Sequence, residues 1–250
     1  MKAIFTASLL AALVSPSIAE ETDAKALAAQ LAGLQQDGNS YAKAKMDTIS
    51  QNGGKVTLQV QIKQRRSASS TEVVYQILWP KERAGEAVLL KRSGDSISGS
   101  KLTADKVTSL SASEAKGPVL GTSVSGADLL EDFFSWSDQK IVGSETVNRV
   151  KCEILESRSG SSVVRSWVDT KRTVPLRIEI YGSSSKPVRR IEAVAVNKDD
   201  KNRNIPSSMT VQDLQKGTST AIEGSKLRHG VTYDNSDFTP EGLKNTAAPR

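Results

Sequence analysis

The stretch Lys55-Val56-Thr57-Leu58-Gln59-Val60-Gln61-Ile62-Lys63 alternates apolar and polar residues without a break. Successive side chains of a strand point to opposite faces. Val56, Leu58, Val60 and Ile62 therefore share one face, and Lys55, Thr57, Gln59, Gln61 and Lys63 share the other. A helix would scatter the same residues around its circumference, so the pattern predicts a β-strand with one face turned to a core. Upstream, Asn52-Gly53 is a tight hairpin signal, and Tyr41 to Ile49 alternates as a partner strand would, although its Ala and Lys content also suits a helix. Downstream, Ser67 to Ser70 is a polar loop. Glu72 to Trp79 is rich in β-formers, with Tyr75, Ile77 and Trp79 on one face, and Pro80 closes it. Glu86 to Arg92 makes another short strand, ended by Ser93-Gly94-Asp95.

The second half repeats this grammar. Strands are expected at Arg149–Glu156, Ser162–Asp169, Leu176–Tyr181, Val188–Val196, Met209–Leu214 and Thr220–Leu227. Turn clusters separate them at roughly 8–14 residues, the spacing of antiparallel sheet rather than of βαβ units. In Leu176–Tyr181 a stripe of Leu176, Ile178 and Ile180 faces one way. Helices are few. Glu20 to Gln36 carries Ala24, Leu27, Ala28, Leu31 and Leu34 at helical spacing, and Asp37-Gly38-Asn39 stops it. Ser125-Gly126-Ala127-Asp128 resembles a capping box. It opens an expected helix from Ala127 to Trp136 that contains Leu129, Leu130, Phe133, Phe134 and Trp136. Lys101 to Leu120 shows no clean period. The residues read as one mostly β domain with a few helices.

The amino terminus has a different role. Met1-Lys2 precedes an apolar run from Ala3 to Val14, Pro16 breaks it, and Ser17-Ile18-Ala19 fits a small-x-small cleavage site. This predicts a cleaved signal peptide over residues 1–19 and a single exported domain over 20–250. The run is too short to span a bilayer, which needs about 20 residues, and no later run is longer.

Composition excludes several chemistries. The 250 residues hold 34 Lys+Arg, 28 Asp+Glu, one His and one Cys, for a net charge of +6. One Cys allows no internal disulfide, and one His with one Cys cannot build a zinc site of His and Cys ligands. A Ser-His-Asp arrangement would have to use His229, which sits at a strand end before a turn. Cys152 shares a face with Val150 and Ile154, the position of a buried thiol. Asp128, Glu131 and Asp132 could exchange a proton, but acids in a first helical turn are expected from the macrodipole alone. No glycine-rich phosphate loop occurs. The basic pairs Arg65-Arg66 and Arg189-Arg190 lack neighbouring aromatics, so no nucleic-acid face is indicated. No catalytic constellation, cofactor site or metal site emerges, and a binding protein is expected rather than an enzyme.

Several local motifs, in order, resemble the outer-membrane lipoprotein-sorting protein family, the LolA-like domain. They are Ser40-Tyr41, Gly85 before Ala87-Val88-Leu89-Leu90, Gly94-Asp95, Gly121-Thr122-Ser123 and Asp128-Leu129-Leu130-Glu131-Asp132. Gly143-Ser144-Glu145, Trp167-Val168-Asp169, Val174-Pro175-Leu176-Arg177, Leu214-Gln215-Lys216-Gly217 and Phe238-Thr239-Pro240 follow. The resemblance spans about Leu27 to Leu243. It implies a mainly β (α+β) fold: an open antiparallel half-barrel with a few helices covering its concave face. It also implies a periplasmic carrier of the acyl chains of a lipoprotein or lipid, without covalent chemistry. The implied partners are that cargo, an inner-membrane transporter and an outer-membrane acceptor, and a monomer is expected. The alternative is a periplasmic sensor or interaction module of the same fold that regulates an envelope partner. On the carrier reading the cavity wall would be Val56, Leu58, Val60, Ile62, Tyr75, Ile77 and Trp79, with Leu176, Ile178 and Ile180 opposite. The Phe-rich helix would be its lid.

Overall fold

The computed structural model describes residues 17–35, 38–130, 132–183, 185–225 and 227–250. Most of the expected signal peptide, Gln36-Asp37 of the helix stop, and Glu131 lie outside the described residues.

Six strands, β1 (Gly38–Ile49), β2 (Lys55–Arg66), β3 (Ser70–Trp79), β4 (Ala87–Ser93), β5 (Ser96–Thr103) and β6 (Lys106–Leu110), form one meander. Seven more form a second: β7 (Asp138–Val147), β8 (Val150–Ser159), β9 (Ser162–Asp169), β10 (Val174–Tyr181), β11 (Pro187–Lys198), β12 (Asn204–Asp213) and β13 (Thr218–Gly224). The meanders join where β13 pairs antiparallel with β1, Met46 opposite Ile222. A short strand, β14 (Arg228–His229), pairs with the start of β1. The order is β6-β5-β4-β3-β2-β1-β13-β12-β11-β10-β9-β8-β7. The end strands β6 and β7 do not pair, so the sheet stays open. A twisted sheet of this many strands curls rather than lying flat, and the curl gives a concave and a convex face.

The hairpin signal at Asn52-Gly53 turns β1 into β2. Gly53 adopts φ +83°, a left-handed conformation that favours glycine, and its amide donates to Ser50 O at 2.9 Å. The β2 stripe faces the concave side: Leu58, Val60 and Ile77 are buried with Met46, Val73, Tyr75 and Leu90. The other β2 face, expected to be solvated, is buried as well. The segment 231–250 crosses the convex side of β2–β5 and packs Phe238 and Leu243 on Val74, Ala87, Leu89 and Leu102. Its polar groups match those of β2. Lys63 Nζ meets Asp237 Oδ1 at 3.0 Å, and Gln61 Nε2 donates to Gln76 Oε1 at 2.6 Å and to Thr246 O at 3.0 Å.

Three helices lie on the concave side: α1 (Ser17–Gln35), α2 (Ala112–Lys116) and α3 (Gly126–Leu130). α1 buries Ala24, Leu27, Ala28, Leu31 and Ala32 against Leu155, Val164 and Val168 of β8 and β9. The expected Ala127–Trp136 helix is corrected to α3 followed by a 3-10 turn at Phe133–Ser135. Asp132 leaves helical geometry at φ −114°, ψ 68°. Gln139 then gathers the carbonyls that a continuing helix would have used, donating to Phe133 O and Trp136 O at 2.9 Å each. The aperiodic stretch before it holds β5 and β6, and β7 is a further strand that periodicity alone does not reveal. β5 is masked by Ser and Gly at inward positions. Gly99 lies under α2, where an added Cβ would stand 2.8 Å from Leu89 O. β7 is masked by a register shift between Ile141 and Gly143.

Candidate functional site

The concave face is covered from two sides. α1 lies over the β7–β10 flank. The segment 111–130 lies over the β1–β4 flank, burying Ala115, Val119, Val124 and Leu130 on it. A second capping box starts α2: the Ser111 side chain accepts from Glu114 N, and Glu114 Oε2 accepts from Ser111 N at 2.8 Å. α3 starts as the sequence predicted, Ser125 N donating to Asp128 Oδ2 at 2.8 Å and Asp128 N to Ser125 Oγ at 3.1 Å. The helices touch backbone to backbone at Gly126. A Cβ there would stand 1.7 Å from Ala115 O, so only glycine fits.

This cover is tied to the far strands by polar contacts. Arg189 of β11 forms a two-pronged ion pair with Asp128, Nε donating to Oδ1 at 2.8 Å, and Arg189 Nη2 also donates to Ser123 O at 2.5 Å. Ser123 N donates to Thr220 Oγ1 at 2.8 Å, and Thr220 in turn contacts Thr48 Oγ1 at 2.9 Å. From the opposite flank Arg66 Nη2 donates to Leu129 O at 2.7 Å. Burial pushes the Tyr75 phenol beneath this cover up to about 12, so it stays neutral.

Between the covers a crevice opens under the carboxyl end of α1. It measures about 240 Å³ and is walled by Leu31 and Leu34 of α1, Phe134, Ile178 of β10, Ile191 of β11 and Met209 of β12. A second crevice, of about 230 Å³, adjoins the same helix end and shares Leu34 and Gln35 with the first. Its walls are mixed, with Ser40, Gln64, Arg66 and His229 beside Leu34 and Leu227. A larger cleft of about 410 Å³ lies between α2 and β4–β6, with a charged rim of Arg83, Glu86, Lys101 and Glu114.

The expected wall residues divide into three groups. Leu58, Val60, Ile62, Tyr75 and Ile77 lie on the concave side but pack with segment 111–130. Ile178 and Ile180 pack with α1 and Phe133–Phe134, and Ile178 also lines the apolar crevice. The remaining three lie elsewhere. Val56 and Trp79 are 50% and 48% exposed near the strand ends. Leu176 leaves the Ile178–Ile180 stripe because the register shifts between Pro175 and Arg177. It packs instead with Cys152 and Trp167. Among the expected lid residues, Leu129 and Leu130 pack with the β1–β4 flank, and Phe133, Phe134 and Trp136 pack with the α1 flank. Sequence patterning missed Ile191 and Met209, which sit on strands whose alternation is blurred by register shifts in the β11–β12 pair.

His229 has a structural place. Arg203 carries only donors, so its Nη2 donates to His229 Nε2 at 2.7 Å, and His229 Nδ1 donates to Asp200 Oδ1 at 2.5 Å. Asp199, Asp200 and His229 bring one nitrogen or oxygen each within 4.8 Å of one another, a spacing that could hold a metal ion. Yet Asp199 already accepts from Arg203 Nε and from the amides of Lys201 and Arg203, at 2.8 to 2.9 Å. A guanidinium occupies the place a cation would take, and the group clasps the β11–β12 turn to β14. Asp128 accepts from Arg189 through both carboxylate oxygens and from Ser125 N, which makes it an anchor of the cover.

The described residues thus form an open antiparallel half-barrel with helices over its concave face. A family model described as an uncharacterized protein matches residues 71–245. The chain belongs to that family, DUF1329. Among solved structures, a DUF1329 family protein from Desulfovibrio piger superposes with a TM-score of 0.79 at 18% identity, covering 90% of this chain and 99% of that one. A domain from Vibrio parahaemolyticus named for outer membrane lipoprotein sorting gives 0.77 at 18% identity, over 90% and 100% of the two chains. A LolA superfamily protein from Nitrosomonas europaea gives 0.66 at 15% identity, over 86% and 97%. No curated protein matches the sequence. Among the described residues no helix is long and apolar enough to cross a membrane.

Proposed function

We propose that this protein is a periplasmic carrier that takes up an acyl chain of a lipid or lipoprotein on its concave face and ferries it between membranes. The apolar crevice under α1 carries the reading. Ile178, Ile191 and Met209 remain partly accessible there. Each methylene moved from water to such a wall contributes about 0.8 kcal/mol, so one chain can be held without a directional contact. About 240 Å³ lies below the roughly 300–1,000 Å³ of ordinary ligand pockets. Loading a whole chain therefore requires α1 or segment 111–136 to move. Opening that segment would exchange its polar ties for water and uncover the apolar side chains it now buries. Cleavage after Ala19 and delivery from an inner-membrane transporter to an outer-membrane acceptor belong to the same proposal.

Native mass spectrometry with lipid extraction tests it, on protein purified gently from a periplasm. Acylated molecules at near-unit stoichiometry are expected, and Met209→Glu should remove them while the protein stays folded. A bare protein mass in repeated preparations would overturn the carrier reading.

A further inference from the structure

We propose that the molecule bound under α1 is an anionic amphiphile, its carboxylate or phosphate head held by Arg66 in the crevice of mixed walls while its chain lies in the apolar one. This rests on the acyl-binding reading and adds the class of cargo. The two crevices meet at Leu34 and Gln35, so a molecule with a charged end and an apolar end can occupy both by passing beneath the helix terminus. Arg66 closes β2 on the concave side, opposite Gly38, where no side chain fills the space. Its Nη2 is used by Leu129 O, but its Nε is buried with no hydrogen-bond partner. The carboxylate of Asp132 acts on it electrostatically but lies beyond ion-pair distance from it, paired at 4.0 Å with Arg92 instead. A guanidinium has five donors arranged to grip an oxyanion, and leaving one buried and unmet is costly. Gln35 points to the same ligand. Its Oε1 is also buried without a partner, and rotating the amide puts an NH2 donor in that position. Ser40 and Gln64 add a hydroxyl and a second amide to the wall. A head group there would gain charge-assisted hydrogen bonds, the strong class of such contacts. A neutral ester would leave Arg66 as it is now.

The test compares palmitate, methyl palmitate, dodecyl phosphate and inorganic phosphate as competitors for a neutral fluorescent fatty alcohol bound to the purified protein. Palmitate is expected to bind at least about tenfold more tightly than methyl palmitate, the effect of one charge-assisted hydrogen bond. Arg66→Gln should erase that preference, and Arg66→Lys should keep part of it. Equal affinity for acid and ester in the unmodified protein overturns the head-group assignment and leaves the carrier reading standing. That comparison decides even if Arg66→Gln fails to fold. Inorganic phosphate competing as well as dodecyl phosphate would overturn the amphiphile in favour of a free anion. No binding by any lipid overturns both readings.

Discussion

Lys63 shows how residue and environment can disagree. Alternation predicts its face, but it sits at 2% exposure against Asp237 rather than in water. Breaking a buried pair from one side leaves the other charge stranded, at a cost of about 3–5 kcal/mol. Lys63→Met should lower the unfolding free energy measured by urea denaturation by that amount, and adding Asp237→Leu should restore part of it. If the single change were neutral, segment 231–250 would not be anchored there. Cys152 behaves as its apolar neighbours suggest. Burial, assisted by Asp169, pushes its thiol above the ordinary range. It should resist a disulfide reagent at pH 8 until denaturant is added, whereas prompt native-state labelling would contradict its burial. The inward positions from Leu58 to Ile62 and from Val73 to Ile77 were legible because their alternation is unbroken, whereas a register shift between Gln59 and Val60 sets Trp79 apart. Leu176 was not legible, because a register shift, invisible in composition, turns it away from its stripe.

Among elements, the cover formed by α2 and α3 is where side-chain bulk matters most. Gly126 lets the two helices meet at Ala115 O, and an added methyl group has no space. Gly126→Ala should force them apart, destabilise the protein by about 1–3 kcal/mol and speed amide exchange over 111–130. Unchanged exchange would mean that the contact does not hold the cover. The Arg189–Asp128 tie makes a separate prediction. Arg189→Met should loosen the cover and raise the rate of lipid uptake, measured by stopped flow, more than it lowers stability. The α3 capping box could be read directly, since its donors and acceptors are local. Its early end could not, because Gln139, which captures the freed carbonyls, lies on the next strand. β5 and β6 stayed hidden because glycine and serine beneath a helix carry no hydrophobic period.

For the whole molecule, charge sets acid tolerance. Asp47, Glu156 and Asp199 are held below the usual carboxylate range. In Asp47 the hydrogen bond from Lys45 does this. In Glu156 and Asp199 burial acts upward, and the arginines paired with each, Arg165 and Arg158 or Arg203, outweigh it. A carboxylate depressed in the folded state adds stability above its unfolded pKa near 4 and loses it as pH falls through the folded value. Urea midpoints should therefore fall steeply below about pH 4. Midpoints that stay level down to pH 3 would show that these pairs carry no net weight. The antiparallel class and the joining of two strand-rich halves were legible from turn spacing. That β1 sits mid-sheet, beside the last long strand, was not, since pairing across such a separation leaves no local trace.

That placement has a consequence in time. Ala44 pairs with Gly224, Ser40 with His229, and Lys63 with Asp237. A chain released from its amino end forward presents β1 first and its outer partners last. Until then β1 is a bare edge able to pair with another chain, and contacts this distant in sequence form slowly. The half-made protein is thus its own chief aggregation hazard, and whatever holds nascent chains apart must act until the final thirty or so residues have arrived.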